Sequence, residues 1–275
     1  MKRQSIPRRL LDLSVLMVLI VLAIYPTVWL LLISLQPAES AFRLPPKFLF
    51  IPDFVNYADL LGDADFRASL FNSLAIAIPA TLLCMAVGAP AGFALSRLRL
   101  RWRSGVTGMM LVSRLIPSFA IVIPTFFLFD KLRLLDTIIG LVLAMAAFHL
   151  PIAVLVMYRV CDGIPIALDE AARLEGASLR QTLQYVLLPI ARPGLAASGV
   201  ITFVLIWNEF LFVLVLAGNK VLTLPVTIAT FETQRQILWG SIAAASIIAT
   251  VPVLAVVFFA QRALLSGIGA GAVRQ

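Results

Sequence analysis

Residues 161–194 read CDGIPIALDEAARLEGASLRQTLQYVLLPIARPG, a stretch too polar to cross a bilayer and too patterned to be a plain linker. Pro165 suits a first helical turn, Asp169 and Glu170 follow with charges that favour a helix start, and Gly176 suits a left-handed stop. Ser178 with Gln181 makes a Ser-x-x-Gln capping box that opens a second helix. Leu179, Leu183, Val186 and Leu187 then fall on one apolar face, and Pro189 ends that helix. The stretch predicts a folded, protruding pair of short helices.

Outward from this loop the chain is apolar. Of its 275 residues 61% are hydrophobic and 13% charged, with a mean hydropathy of +1.01. The charges cluster, and the runs between them are long enough to cross hydrocarbon about 30 Å thick. This predicts an all-α integral membrane protein and excludes a secreted domain, a DNA-binding module and a disordered chain. Six spans are expected, near Leu13–Leu35, Leu70–Leu95, Val106–Phe129, Thr137–Tyr158, Gly194–Leu216 and Gly240–Ala260. With the N-terminus inside, 14 of the 22 basic residues fall on cytoplasmic segments and 7 outside, with Arg114 in between, so both termini are expected inside. The N-terminal MKRQSIPRRLLDLS has the basic region of a signal peptide, but its apolar run continues to Leu35 with no small-x-small cleavage site. It reads as a retained first span.

Prolines 26, 79, 90, 117, 124, 151 and 252 fall within the spans and are expected to kink them. Gly88 and Gly92 form a Gly-x-x-x-Gly pair that serves either ordinary helix packing or a dimer seam. Cys84 and Cys161 lie too far apart in the chain to suggest a disulfide framework or a metal cluster. The external segment from Gln36 to Ser69 either meets an outside partner or rests its aromatics at the headgroups. No internal repeat is evident, which weighs against inverted-repeat transporters.

Glu170-Ala171-Ala172, three residues, Gly176, nine residues, Val186, one residue and Leu188-Pro189 together resemble the EAA loop of the permease subunits of binding-protein-dependent ABC importers. The family pattern has Ile at the place of Val186. Asn72-Ser73, AGFALSRLRLR at 91–101, Ile-Pro at 116–117 and 123–124, LLDT at 134–137, WNEFLF at 207–212 and GAGAVR at 269–274 are similar to the carbohydrate-type, maltose-system branch of that family. The resemblance runs from about residue 12 to the end.

The resemblance implies a type I importer permease with six transmembrane helices in a bacterial or archaeal plasma membrane. Its first helix and external loop would occupy residues 1–69, a core of five helices with the EAA loop at 161–193 would occupy 70–262, and a cytoplasmic tail 263–275. Implied partners are a second homologous permease, two ATPase subunits holding ATP and Mg, an extracytoplasmic solute-binding protein and membrane lipid, with no nucleic acid. Glu170, Ala171, Ala172, Gly176, Leu188 and Pro189 are the implied coupling positions, and the tail from Gly267 to Gln275 is a second implied ATPase contact. Physically, small residues at 171 and 172 leave a slim helix that fits a groove, and a rigid helix pulled by a closing ATPase rocks the spans attached to it. Without the motif, Glu170 reads as an ordinary favourable charge near a helix start. The chain itself has no phosphate loop, nucleophile elbow or metal constellation, so no catalytic residue, cofactor or metal is expected in it.

Arg114, His149, Asn208 and Glu209 fall at membrane depth, where ionisable groups are functional candidates. Asn208, Glu209 and Arg114 are the candidates for the translocation path. Each also has a structural reading: Asn208 and Glu209 hold neighbouring helices, Arg114 caps carbonyls freed near Pro117, and His149 is a packing residue. At a rise of 1.5 Å per residue Arg114 and Glu209 differ in depth by roughly 10 Å and are not expected to pair. Two other functions remain open at this stage. One is a proton-coupled secondary transporter with Glu209 and His149 as relay, and the other is a membrane-embedded enzyme, which the scattered polar groups disfavour. Sugar, polyol and sugar phosphate are all open as solutes, with a neutral oligosaccharide first.

Overall fold

The computed structural model describes residues 6–36, 50–98, 101–233 and 237–271. Lys2, Arg3, Arg43, Lys47, Arg99, Arg235, Arg274 and the end of the GAGAVR segment lie outside the described residues.

The described chain is helical, with a single isolated bridge between Glu232 and Ile237. In order the helices are α1 (Ile6–Ser34), α2 (Val55–Gly62), α3 (Ala64–Arg97), α4 (Arg103–Ser113), α5 (Ser118–Lys131), α6 (Ile138–Asp162), α7 (Ala167–Leu174), α8 (Leu179–Trp207), α9 (Leu211–Leu216), α10 (Leu224–Ala229) and α11 (Trp239–Gly271). Five of them are long and apolar enough to cross a membrane, and α4 with α5 makes a sixth span if the bent pair is taken as one.

Three expected elements differ. The third span is broken: α4 and α5 meet at 93°, because Pro117 forces the preceding residue out of helical geometry and itself stands as the N-cap of α5. The fifth span breaks at Asn208–Phe210, and α9 continues it as a separate short helix. Pro189 ends nothing: α8 runs from the loop through Pro189 to Trp207. A π-helical turn at Thr182–Leu187 precedes the proline, which then stands in the first turn of the regular α-helical segment Leu188–Trp207, a position that tolerates its missing N–H.

The residues form two compact units. One holds 1–67 with 227–251. There Asn56, at the start of α2, donates from Nδ2 to the carbonyls of Ser34 (3.0 Å) and Gln36 (3.1 Å), satisfying the end of α1. A Cβ on Gly240 would stand 2.6 Å from Asn56 Oδ1, so the first turn of α11 approaches only because it has no side chain there. The apolar face of α1 is almost entirely uncovered.

The other unit holds 68–226 with 252–275. Its centre is α6, where Leu141, Met145, Ala153, Val154 and Met157 are nearly inaccessible. Gly88 and Gly92 of α3 face Ala153 and Tyr158 of α6, so the Gly-x-x-x-Gly pair serves packing within the chain. Asp136, in a left-handed conformation (φ 53°), accepts from the N–H groups of Val221 (3.1 Å) and Lys220 (3.3 Å) and donates its own N–H to the Leu216 carbonyl (2.9 Å). That residue ties the α5–α6 turn to the segment after α9.

Candidate coupling loop and membrane-embedded polar groups

The loop between α6 and α8 is shaped by its own backbone bonds. α7 ends in a Schellman motif: Gly176 N–H reaches the Arg173 carbonyl (3.0 Å), Ala177 N–H reaches the Ala172 carbonyl (3.0 Å), and Gly176 has φ +83°. A Cβ on Gly176 would meet nothing within 4 Å, so the glycine is needed for conformation rather than for space. Two residues on, Ser178 Oγ accepts from Gln181 N–H (3.3 Å) while Gln181 Oε1 accepts from Ser178 N–H (2.8 Å), the capping box expected from the sequence.

Of the implied coupling positions, Glu170, Ala171, Gly176 and Pro189 are exposed, Leu188 is half-buried and Ala172 is buried. Leu174 is 90% exposed and Ile166 and Tyr185 are also open, so the loop carries an uncovered apolar rim. Solvated loops do not usually hold large aliphatic side chains in this way, and such a rim marks an interaction surface.

Two residues that the sequence did not single out as site candidates prove central. Arg97 at the end of α3 forms an ion pair with Asp169 of α7, Nε to Oδ2 at 2.5 Å, with both side chains buried. Arg97 Nη2 also donates to the Ile164 carbonyl at 2.8 Å. Nearby, Arg103 of α4 donates to Tyr158 Oη and to Asp162 Oδ1 (2.7 Å). Ser96, Arg97, Arg103, Asp169, Glu170 and Arg173 line a polar cavity of about 380 Å³. Arg97 and Asp169 had counted only as an orientation charge and a helix-start charge. Their charge and their positions beside recognisable segments were the available signal.

The groups at membrane depth divide into two sets on consecutive residues of α6. Arg114 lies at the α4–α5 break, with its guanidinium 4.6 Å above the Phe148 ring and Nη1 donating to the Phe148 carbonyl (2.9 Å). The carbonyl it caps is therefore near Pro151 and not, as expected, near Pro117. His149 is 2% exposed, and its Nε2 stands 3.5 Å from Glu209 Oε2. Glu209 Oε1 accepts from Phe212 N–H (3.4 Å), which serves the open start of α9. Asn208 Nδ2 donates to the Val204 carbonyl (2.8 Å) at the end of α8. Arg114 and Glu209 have different partners, in keeping with the estimate from their depths, and all three path candidates make bonds to the backbone.

Comparison with known proteins places this arrangement. The family model described as binding-protein-dependent transport system inner membrane component matches residues 85–269. The trehalose transport system permease protein SugB of Mycobacterium tuberculosis is 33% identical, over 92% of this chain and 93% of its own. The trehalose/maltose transport system permease protein MalG of Thermococcus litoralis is 29% identical, over 99% of each. Among solved structures, a chain of a bacterial ABC transporter involved in the import of the acidic polysaccharide alginate superposes with a TM-score of 0.75 at 22% identity, covering 95% of this chain and 99% of that one.

Proposed function

The chain belongs to the family of binding-protein-dependent transport system inner membrane components, and we propose on that premise that it forms half of the channel of an ATP-driven importer. The proposed solute is a sugar or related polyhydroxy compound, with neutral di- and oligosaccharides first, in line with the trehalose and maltose named for two of its relatives. The observation that carries the reading is α7: a short helix whose C-terminal end is fixed by a Schellman turn, with an exposed Glu170-Ala171 edge and an uncovered apolar rim at Leu174.

In this reading ATP and Mg are held by two separate ATPase subunits, and this chain performs no hydrolysis. α7 seats in an ATPase groove with Ala171 giving a slim edge and Glu170 a charge at the contact. Because Gly176 and the capping box make the loop stiff, ATPase closure moves α7 as a body, and α6 and α8, joined to it through the chain, rock between outward and inward packings. A second homologous permease completes the channel, a solute-binding protein outside the plasma membrane of a bacterium or archaeon delivers the sugar, and lipid or the partner permease covers α1. Asn208, Glu209 and Arg114 shape the break points of α8–α9 and α4–α5 along the path.

The proton-coupled alternative is not supported. The relatives are ABC transporter permeases, and Glu209 is already engaged by the Phe212 N–H as well as by His149. Affinity purification of the tagged chain from its native membrane, followed by mass spectrometry and reconstitution, tests the proposal. An ATPase and a second EAA-bearing permease are expected to come with it, and uptake is expected to require ATP. A chain that is recovered alone and moves solute without ATP overturns the reading.

A further inference from the structure

Arg97 closes α3, Asp169 lies in the first turn of α7, and their side chains meet at 2.5 Å, both almost wholly withdrawn from solvent. The same guanidinium holds the Ile164 carbonyl in the turn that leads from α6 into α7. One side chain of α3 thus grips α7 and its lead-in at two points, neither through a neighbour in the chain. Around it Phe93 of α3 packs with Cys161, Ile164, Leu187 and Ala191. Apolar contacts of that kind tolerate sliding, because the attraction is non-directional. A buried ion pair does not, because moving one partner away leaves a buried charge uncompensated.

We propose that the Arg97–Asp169 pair makes α3 a third arm of the coupling loop, so that displacement of α7 reaches α3 directly as well as reaching α6 and α8 through the chain. Arg97 and Asp169 are positioning residues: neither touches solute or nucleotide, and their role is to keep α3 in step with α7. Among the described residues neither Asp169 Oδ1 nor Arg97 Nε has a hydrogen-bond partner, so the close Nε–Oδ2 contact compensates the two charges as an ion pair. The proposal rests on the importer reading above.

The test uses the complex purified with its co-recovered subunits in liposomes, with radiolabelled trehalose or maltose and the co-recovered binding protein. ATP-driven uptake by the unaltered complex tests the importer reading by itself. Arg97→Gln and Asp169→Asn are then expected to keep hydrolysing ATP while moving about tenfold less sugar per ATP. The exchange R97D/D169R is expected to recover most of the lost ratio. A pair that only staples the loop would lower the amount of assembled complex and leave uptake per ATP unchanged. That result, or an exchange that recovers nothing, overturns the proposal. A second measurement leaves the pair intact: spin labels at Leu98 and Leu174 are expected to keep one separation with and without ATP, and a separation that changes on ATP binding overturns it.

Discussion

Gly92 of α3 brings its α-carbon so close to α6 that a methyl group added to it would stand 2.6 Å from the backbone nitrogen of Tyr158. The neighbouring atoms are backbone and the root of Met157, which cannot swing aside. Gly92→Ala is therefore expected to destabilise the chain by about 1–3 kcal/mol through overpacking. Gly88→Ala, whose added carbon would meet the Ala153 side chain at 3.1 Å, is expected to cost less. Gly199→Ala, with open space around it inside α8, is expected to be neutral or to stabilise by up to about 1 kcal/mol. Denaturation of the three variants in detergent ranks them. Equal stability of Gly92→Ala and Gly199→Ala would show that α3 and α6 are not in contact here.

At Gly176 the constraint is the positive φ, and no neighbour limits the size of a side chain. Substitutions should thus rank by their tolerance of left-handed backbone and not by volume. Gly176→Asn is expected to retain more uptake than Gly176→Ala, although Asn is larger, since Ala in this region costs roughly 1–2 kcal/mol. The reverse order would mean that an outside surface presses on this position.

Ser178→Ala removes the acceptor for the Gln181 N–H and is expected to cost about 1 kcal/mol. Amide hydrogen exchange should register it as faster exchange in the first turn of α8, with α7 unaffected. Unchanged exchange at Gln181 would contradict the capping box.

These bonds at the loop were legible because they are local. Gly176, Ser178 and Gln181 act within a few residues of themselves, so their spacing alone carries the geometry. Arg97 and Asp169 were legible only as charges, since their meeting depends on α3 and α6 first packing through Gly88 and Gly92. Pro189 misled for a related reason: the π-helical turn at 182–187 shifts the register just before it and lets the helix continue. The break at Asn208–Phe210 has no glycine or proline to announce it, and its stabilisation by Glu209 and Asn208 became visible only with the fold.

Glu209 separates two of its tasks on substitution. Glu209→Gln keeps an oxygen for the Phe212 N–H and is expected to preserve most ATP-driven uptake. Glu209→Ala leaves that N–H unpaired beside a buried His149 and is expected to lose about 1–3 kcal/mol of stability. A proton gradient imposed without ATP is expected to drive no uptake in either variant or in the unaltered complex, and gradient-driven uptake would reinstate the relay.

Asp136 offers a comparable contrast just ahead of the start of α6. Asp136→Ala removes the acceptor for Lys220 and Val221 and places alanine at a left-handed position, so the Val221 amide is expected to lose its protection from exchange. Asp136→Asn keeps an acceptor oxygen and tolerates that backbone, and is expected to behave nearly as the parent chain. Full protection of Val221 in the alanine variant would mean that other bonds hold the segment.

The Schellman turn and capping box also bear on how the family diversifies. A segment whose shape is specified by its own hydrogen bonds, with its side chains largely open to the surroundings, behaves as a cassette. It can be transplanted between permeases of different solute preference without redesigning the helices that receive it, provided the recipient supplies an arginine at the end of its α3 counterpart. If the loop couples an ATPase as proposed, drive and selectivity can be inherited separately.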